Sequence, residues 1–218
     1  MKHPALCCAV TALLLSGVPS ARAQDSYWYA GLGSGYSRIQ FYPADFAPRG
    51  GIPIGCNPCS DSKKEFDAGF KGFIGYQINR NWAAEVGYAT IGKFHYFYNN
   101  GTLTQDASYK VTGVGFTAIP TVPLTRNLSV YGRFGAFFSQ TRLTFYNDGF
   151  VFGASSAGRQ LSEMSFLTGF GAQYFFADEN GIRIEYENFG RVGGVSDCAP
   201  CVGRANAKMA SANLIFKF

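Results

Sequence analysis

Beyond residue 25 the chain repeats one pattern: bulky apolar side chains at every second position, with small, polar or charged ones between them, in runs of about ten residues or more. In the stretch 70–78 one face carries Phe70, Ile74, Tyr76 and Ile78, and the other Lys71, Phe73, Gly75 and Gln77. After the turn residues Asn79, Arg80 and Asn81 the next run sets Val86 and Tyr88 against Glu85 and Gly87, which predicts a tight hairpin. The same period sets Val130, Phe134 and Ala136 against Tyr131, Arg133 and Gly135. Later it sets Ile182, Ile184 and Tyr186 against Arg183, Glu185 and Glu187. Reading every such run predicts eight strands, at 26–41, 64–78, 82–97, 107–121, 127–146, 161–176, 181–191 and 204–218. Short connections (79–81, 124–127, 177–181) alternate with long ones (42–63, 98–106, 147–160, 192–203).

The direction of the apolar face decides the environment. Lipid leaves no water for backbone N–H and C=O groups, so a spanning chain must be helical or a closed barrel. After the leader no apolar run approaches the ~20 residues a spanning helix needs. A water-soluble barrel turns its apolar faces inward, whereas the charges of this chain lie opposite its bulky apolar face, beside glycine. The expected fold is therefore all-β: an eight-stranded antiparallel up-and-down transmembrane β-barrel, with the first face toward lipid and small or polar residues toward the interior. Short periplasmic turns and longer extracellular loops suit this arrangement, and an even strand count places both ends on the periplasmic side. Tyr27, Trp28, Trp82, Tyr174, Phe176 and Phe216 are expected at the periplasmic interface, and Phe94, Tyr96, Phe97, Phe145 and Tyr146 at the outer one.

Composition agrees: 17% aromatic residues, 27 glycines and only 15% charged residues, against about 25% charged in ordinary soluble domains. The first 23 residues read as a signal peptide, with Lys2 and His3 before an apolar stretch through Leu15 and a small-x-small site at Ala21-Arg22-Ala23. The barrel domain is expected over 24–218. A net charge of +5, two units of it in the leader (Lys2, Arg22), is too mild to argue for a nucleic-acid partner.

Several stretches resemble the outer membrane protein A-like transmembrane barrel family: Trp28-Tyr29-Ala30-Gly31-Leu32-Gly33, the run from Gly75 to Tyr88, Val130-Tyr131-Gly132-Arg133-Phe134-Gly135-Ala136, and Arg183-Ile184-Glu185-Tyr186 before Phe189-Gly190. The terminal alternation from Ala212 to Phe218 resembles the signal read by the barrel-assembly machinery, with Phe218 as its last residue. The resemblance implies residence in the cell outer membrane, with outer-membrane lipid and lipopolysaccharide as surroundings. It implies a non-enzymatic role in envelope integrity, with loops presented to the outside. A surface adhesin or binding protein, with a host or surface ligand on the loops, and a narrow pore are the alternatives; a lipid A-modifying enzyme comes last. The family's frequent periplasmic peptidoglycan-binding domain does not follow the barrel in this sequence, so wall tethering is not carried over.

Candidate chemistry is sparse. Six charges are predicted to point inward, Lys71, Glu85, Arg133, Arg183, Glu185 and Glu187, either as an ion-pair network that plugs the bore or as the lining of a gated pore. The one histidine after the leader, His95, has no serine close in sequence, although Ser139 or Ser162 could approach it in the fold. No catalytic, cofactor-binding or metal-ligating residue is assigned. Two Cys-x-x-Cys pairs, Cys56 with Cys59 and Cys198 with Cys201, fall in the first and last long loops. An oxidising compartment favours disulfides. Bonding within each pair is preferred because the partners start close together, with cross-loop bonding next and metal or redox use after that.

Overall fold

The computed structural model describes residues 26–41, 60–99, 103–149, 155–193 and 205–218. Its strands are β1 (Tyr27–Phe41), β2 (Ser60–Lys64), β3 (Phe66–Asn79), β4 (Trp82–Asn99), β5 (Leu103–Pro123), β6 (Leu128–Gly149), β7 (Ser155–Phe175), β8 (Asn180–Val192) and β9 (Ala205–Lys217). β2 and β3 are separated only by Glu65 and both pair with β4, so they act as one stave and the nine segments make eight. Each stave pairs antiparallel with its neighbours in sequence, and β1 pairs with β9 from Tyr29↔Lys217 to Phe41↔Ala205. The sheet thus closes on itself, which removes the open edges of a flat sheet, although β7 outruns β8 and their ladder ends at Thr168↔Asn188.

The three short turns fall where the sequence predicts them. Asn79 faces Trp82 across a two-residue turn in which the Asn81 amide donates to Asn79 Oδ1 at 2.9 Å. At the second turn the Leu128 amide donates to Thr125 Oγ1 at 3.0 Å. The outer ends differ from expectation. The strands were expected to stop near residues 97, 107, 146 and 161, yet β4 runs to Asn99, β5 starts at Leu103, β6 runs to Gly149 and β7 starts at Ser155. Alternating hydrophobicity marks only the part of a strand that meets lipid. Above it, Thr104, Gln105 and Asp148 continue the ladder with polar side chains, Thr104 opposite Asp148.

β4 also breaks its own period. Ile91 is an extra residue between Thr90↔Thr112 and Gly92↔Val111, a β-bulge closed by Gly92 at φ 122°. The Asp67 carboxylate receives the Lys93 amide at 2.6 Å beside it. The extra residue inverts the alternation, so Phe94, expected in the outer aromatic girdle, is instead fully buried inside the barrel. Tyr27 departs as well: it packs against the interior beside Tyr29, with ring centroids 6.1 Å apart. Trp28, Trp82, Tyr174, Phe176 and Phe216 do face outward.

The interior is layered rather than uniformly small or polar. Its outer half is an apolar core that includes Ile39, Ile91, Phe94, Val111, Phe137, Leu167, Phe189 and Met209. A smaller group, Tyr29, Phe73, Ala83, Ile119, Tyr131 and Ile215, packs lower down. Glycines make room for the large rings: a Cβ on Gly31 would clash with the tip of the Phe73 ring. The alternation predicts small or polar residues throughout the interior, but a bore this narrow has space for side chains and little else, and dense apolar packing fills its outer half.

Candidate functional site

Strand alternation aims each of the six predicted charges inward, and closure of the barrel brings them together. Lys71 comes from β3, Glu85 from β4, Arg133 from β6, and Arg183, Glu185 and Glu187 from one face of β8. All are buried. Lys71 Nζ lies 2.6 Å from Glu185 and 2.5 Å from Glu187. Arg133 crosses the bore, pairing with Glu85 on one side and with Glu185, at 3.0 Å, and Glu187 on the other. Arg183 pairs with Glu85. Three cations face three carboxylates, so the layer is neutral as a whole.

Further residues, not singled out in the sequence, complete it. Tyr29 donates its hydroxyl to Glu85 Oε1 at 2.8 Å, Arg183 Nη2 donates to Gln173 at 2.9 Å, and Asn213 Nδ2 donates to Glu185 Oε1 at 2.7 Å. The Phe73 ring lies within cation–π range of Arg183, at 4.9 Å, and of Lys71, at 5.7 Å. Tyr29, Gln173 and Asn213 have the inward parity of their strands, and that parity is the signal that points to them. Their hydrogen-bond partners come from other strands, so no local motif marks them. Between this layer and the apolar core lies a cavity of about 30 Å³ beside Lys71, Arg133 and Glu187, room for about one water.

The histidine pairs with neither serine weighed from the sequence. His95 is half exposed, its Nδ1 4.0 Å from Asp106 Oδ1. Ser139 is buried on the inner face, where its hydroxyl donates to the Glu163 carbonyl at 3.0 Å. Ser162 lies on β7, whereas the partner of His95 across the adjacent strand is Ser108. Cys56, Cys59, Cys198 and Cys201 lie outside the described residues, as does the predicted signal peptide. Phe218 ends the chain exposed, its amide donating to the Trp28 carbonyl at 3.0 Å.

A family model described as the OmpA-like transmembrane domain matches residues 23–218. Among curated relatives, outer membrane protein A of Shigella flexneri is 28% identical over 193 residues, which is 88% of this chain and 50% of that protein. Outer membrane protein A of Serratia marcescens is 27% identical over 230 residues, covering all of this chain and 56% of that protein. The chain therefore spans about half the length of the curated relatives it matches. Among solved structures, Neisserial surface protein A shares the barrel with a TM-score of 0.51 at 15% identity, over 89% of this chain and all of that one.

Proposed function

Because the chain belongs to the family of the OmpA-like transmembrane domain, we propose that this outer-membrane barrel is a sealed, non-enzymatic element of envelope architecture that carries its outer hairpins on a closed wall. The observation that supports this most is the filling of the bore. A neutral ion-pair layer spans the bore, an apolar core fills the half above it, and the void between them holds about 30 Å³. An ion crossing this interior has to separate buried pairs, each costing several kcal/mol, and then pass a layer with few polar partners. Planar-bilayer recordings of the purified barrel are expected to stay silent, while a deletion strain is expected to become more sensitive to detergent. Stable unitary conductance would replace this reading with the narrow pore.

One observation favours a second reading, surface binding. β5 and β6 stay paired as far as Leu103↔Gly149, seven residues beyond Arg142, about 23 Å along the strands, and β4 and β7 accompany them to Asn99↔Thr104 and Asn147↔Ser155. A projecting sheet is a platform for a ligand. Shortening the 103–149 hairpin tip without loss of adhesion to host cells or abiotic surfaces would argue against it.

A further inference from the structure

The outer wall over β4, β5, β6 and β7 is layered in register. Tyr88, Val114, Phe138 and Met164 face one another across the four strands and all point outward. One step toward the outer end the row is Thr90, Thr112, Gln140 and Ser162, and the next is Lys93, Lys110, Arg142 and Gln160. Above that lie His95, Ser108 and Thr144. The cations thus stand at the upper border of the lipid-facing band.

Three positive side chains directly opposite one another on adjacent strands, about 5 Å apart, repel in isolation. Among the described residues none of the three side chains has an ion-pair partner. The nearby Asp67 carboxylate is held by the Lys93 amide and by Lys64, at 3.4 Å. The row is built by the bulge: the parity of Glu85, Gly87 and Ala89 would turn residue 93 into the bore, and the extra Ile91 turns Lys93 outward beside Lys110. Directly beneath the cations runs a groove of about 450 Å³, lined by Tyr88, Thr112, Val114, Phe138, Gln140 and Met164.

We propose that this row and groove form a binding site for a phosphorylated glycolipid of the outer leaflet, the chemistry of lipopolysaccharide. The headgroup phosphates bridge Lys93, Lys110 and Arg142, the amide and hydroxyl row hydrogen-bonds the sugar, and acyl chains lie along Tyr88, Phe138 and Met164. A bridging anion converts the mutual repulsion of the row into charge-assisted hydrogen bonds. The site does not depend on whether the bore is sealed, so the two readings fail separately. A second opposed pair, Arg38↔Lys208, occurs on β1 and β9, but Arg38 already has Glu65 at 3.5 Å.

The test uses the full chain refolded in zwitterionic detergent and titrated with bis-phosphorylated lipid A, dephosphorylated lipid A, phosphatidylglycerol and inorganic phosphate, with bound lipid read by native mass spectrometry. Lipid A is expected to bind roughly tenfold more tightly than phosphatidylglycerol, and the triple variant K93Q/K110Q/R142Q to lose roughly tenfold. The variant R80Q/R126Q, which removes cations from the periplasmic turns, is expected to bind as the native chain does. Unchanged lipid A binding by the triple variant, an equal loss in the periplasmic pair, or equal binding of dephosphorylated lipid A, phosphatidylglycerol or free phosphate would overturn the proposal. Heat-modifiability checks folding. If the triple variant does not fold, Lys110→Gln alone, at the middle of the row, is expected to weaken binding several-fold, and no change would overturn the proposal equally.

Discussion

Arg133 reaches from β6 to carboxylates on both β4 and β8, so removing it leaves three carboxylates facing two cations in a space that excludes bulk water. Breaking a buried pair from one side is far more costly than replacing the pair with apolar groups, because the survivors stay buried and charged. Arg133→Met is expected to destabilise the barrel by about 3–5 kcal/mol, measured by urea unfolding in lipid vesicles with the gel shift as readout. Adding Glu185→Gln restores neutrality and should recover part of the loss, a coupling that a double-mutant cycle measures. A single-variant cost near zero would mean that the layer does not hold the wall. Lys71, Glu85 and the β8 charges were legible because a strand side chain has only two directions to point. The hydrogen bonds of Tyr29, Gln173 and Asn213 were not, since each joins residues brought close only by closure.

β4 shows what one inserted residue does to an element. Below the bulge its inward residues are Glu85, Gly87 and Ala89; above it Phe94 points in and Lys93 faces out. Gly92 carries the geometry: its φ of 122° lies outside what a side chain readily tolerates, and a Cβ there would come within 2.9 Å of Asp67. Gly92→Ala is expected to cost about 1–3 kcal/mol, read as a lower urea midpoint for the gel-shifted form; an unchanged midpoint would show that β4 accepts another path. A period-two reading cannot locate such a bulge, because Ile91-Gly92-Lys93-Phe94 offers a plausible alternation in either phase. The failure to place Phe94 follows directly. The strand extensions to Asn99, Leu103, Gly149 and Ser155 escaped for a different reason, since outside the lipid band pairing is set by the neighbouring strand and hydrophobicity leaves no trace.

Across the whole molecule, stability is expected to rest on closure and on side chains filling the bore rather than on the cysteine loops. Replacing Cys56, Cys59, Cys198 and Cys201 with serine is expected to leave heat-modifiability and membrane insertion intact while raising cleavage by added protease. A bond within either Cys-x-x-Cys pair encloses only a few residues, so its contribution falls at the low end of the ~0–5 kcal/mol range. Loss of the folded gel species in the serine variant would show that the loops staple the barrel. Non-reducing peptide mapping distinguishes the pairings: a peptide linking the first loop to the last would exclude bonds within the pairs, and stoichiometric zinc would exclude disulfides.

The sequence by itself determined the class of environment and the architecture, because both follow from local rules. Period-two alternation with charges opposite the apolar face admits a lipid-facing barrel, and turn residues at Asn79–Asn81 and Leu124–Asn127 set its hairpins. It also determined which way Lys71, Glu85, Arg133, Arg183, Glu185 and Glu187 point. Only the tertiary structure decided who meets whom: that Arg133 bridges two walls, that an apolar core fills the half above it, and that a bulge sets Lys93 beside Lys110 and Arg142. These are relations between strands, fixed by register and closure, and a single strand read along its length carries no register.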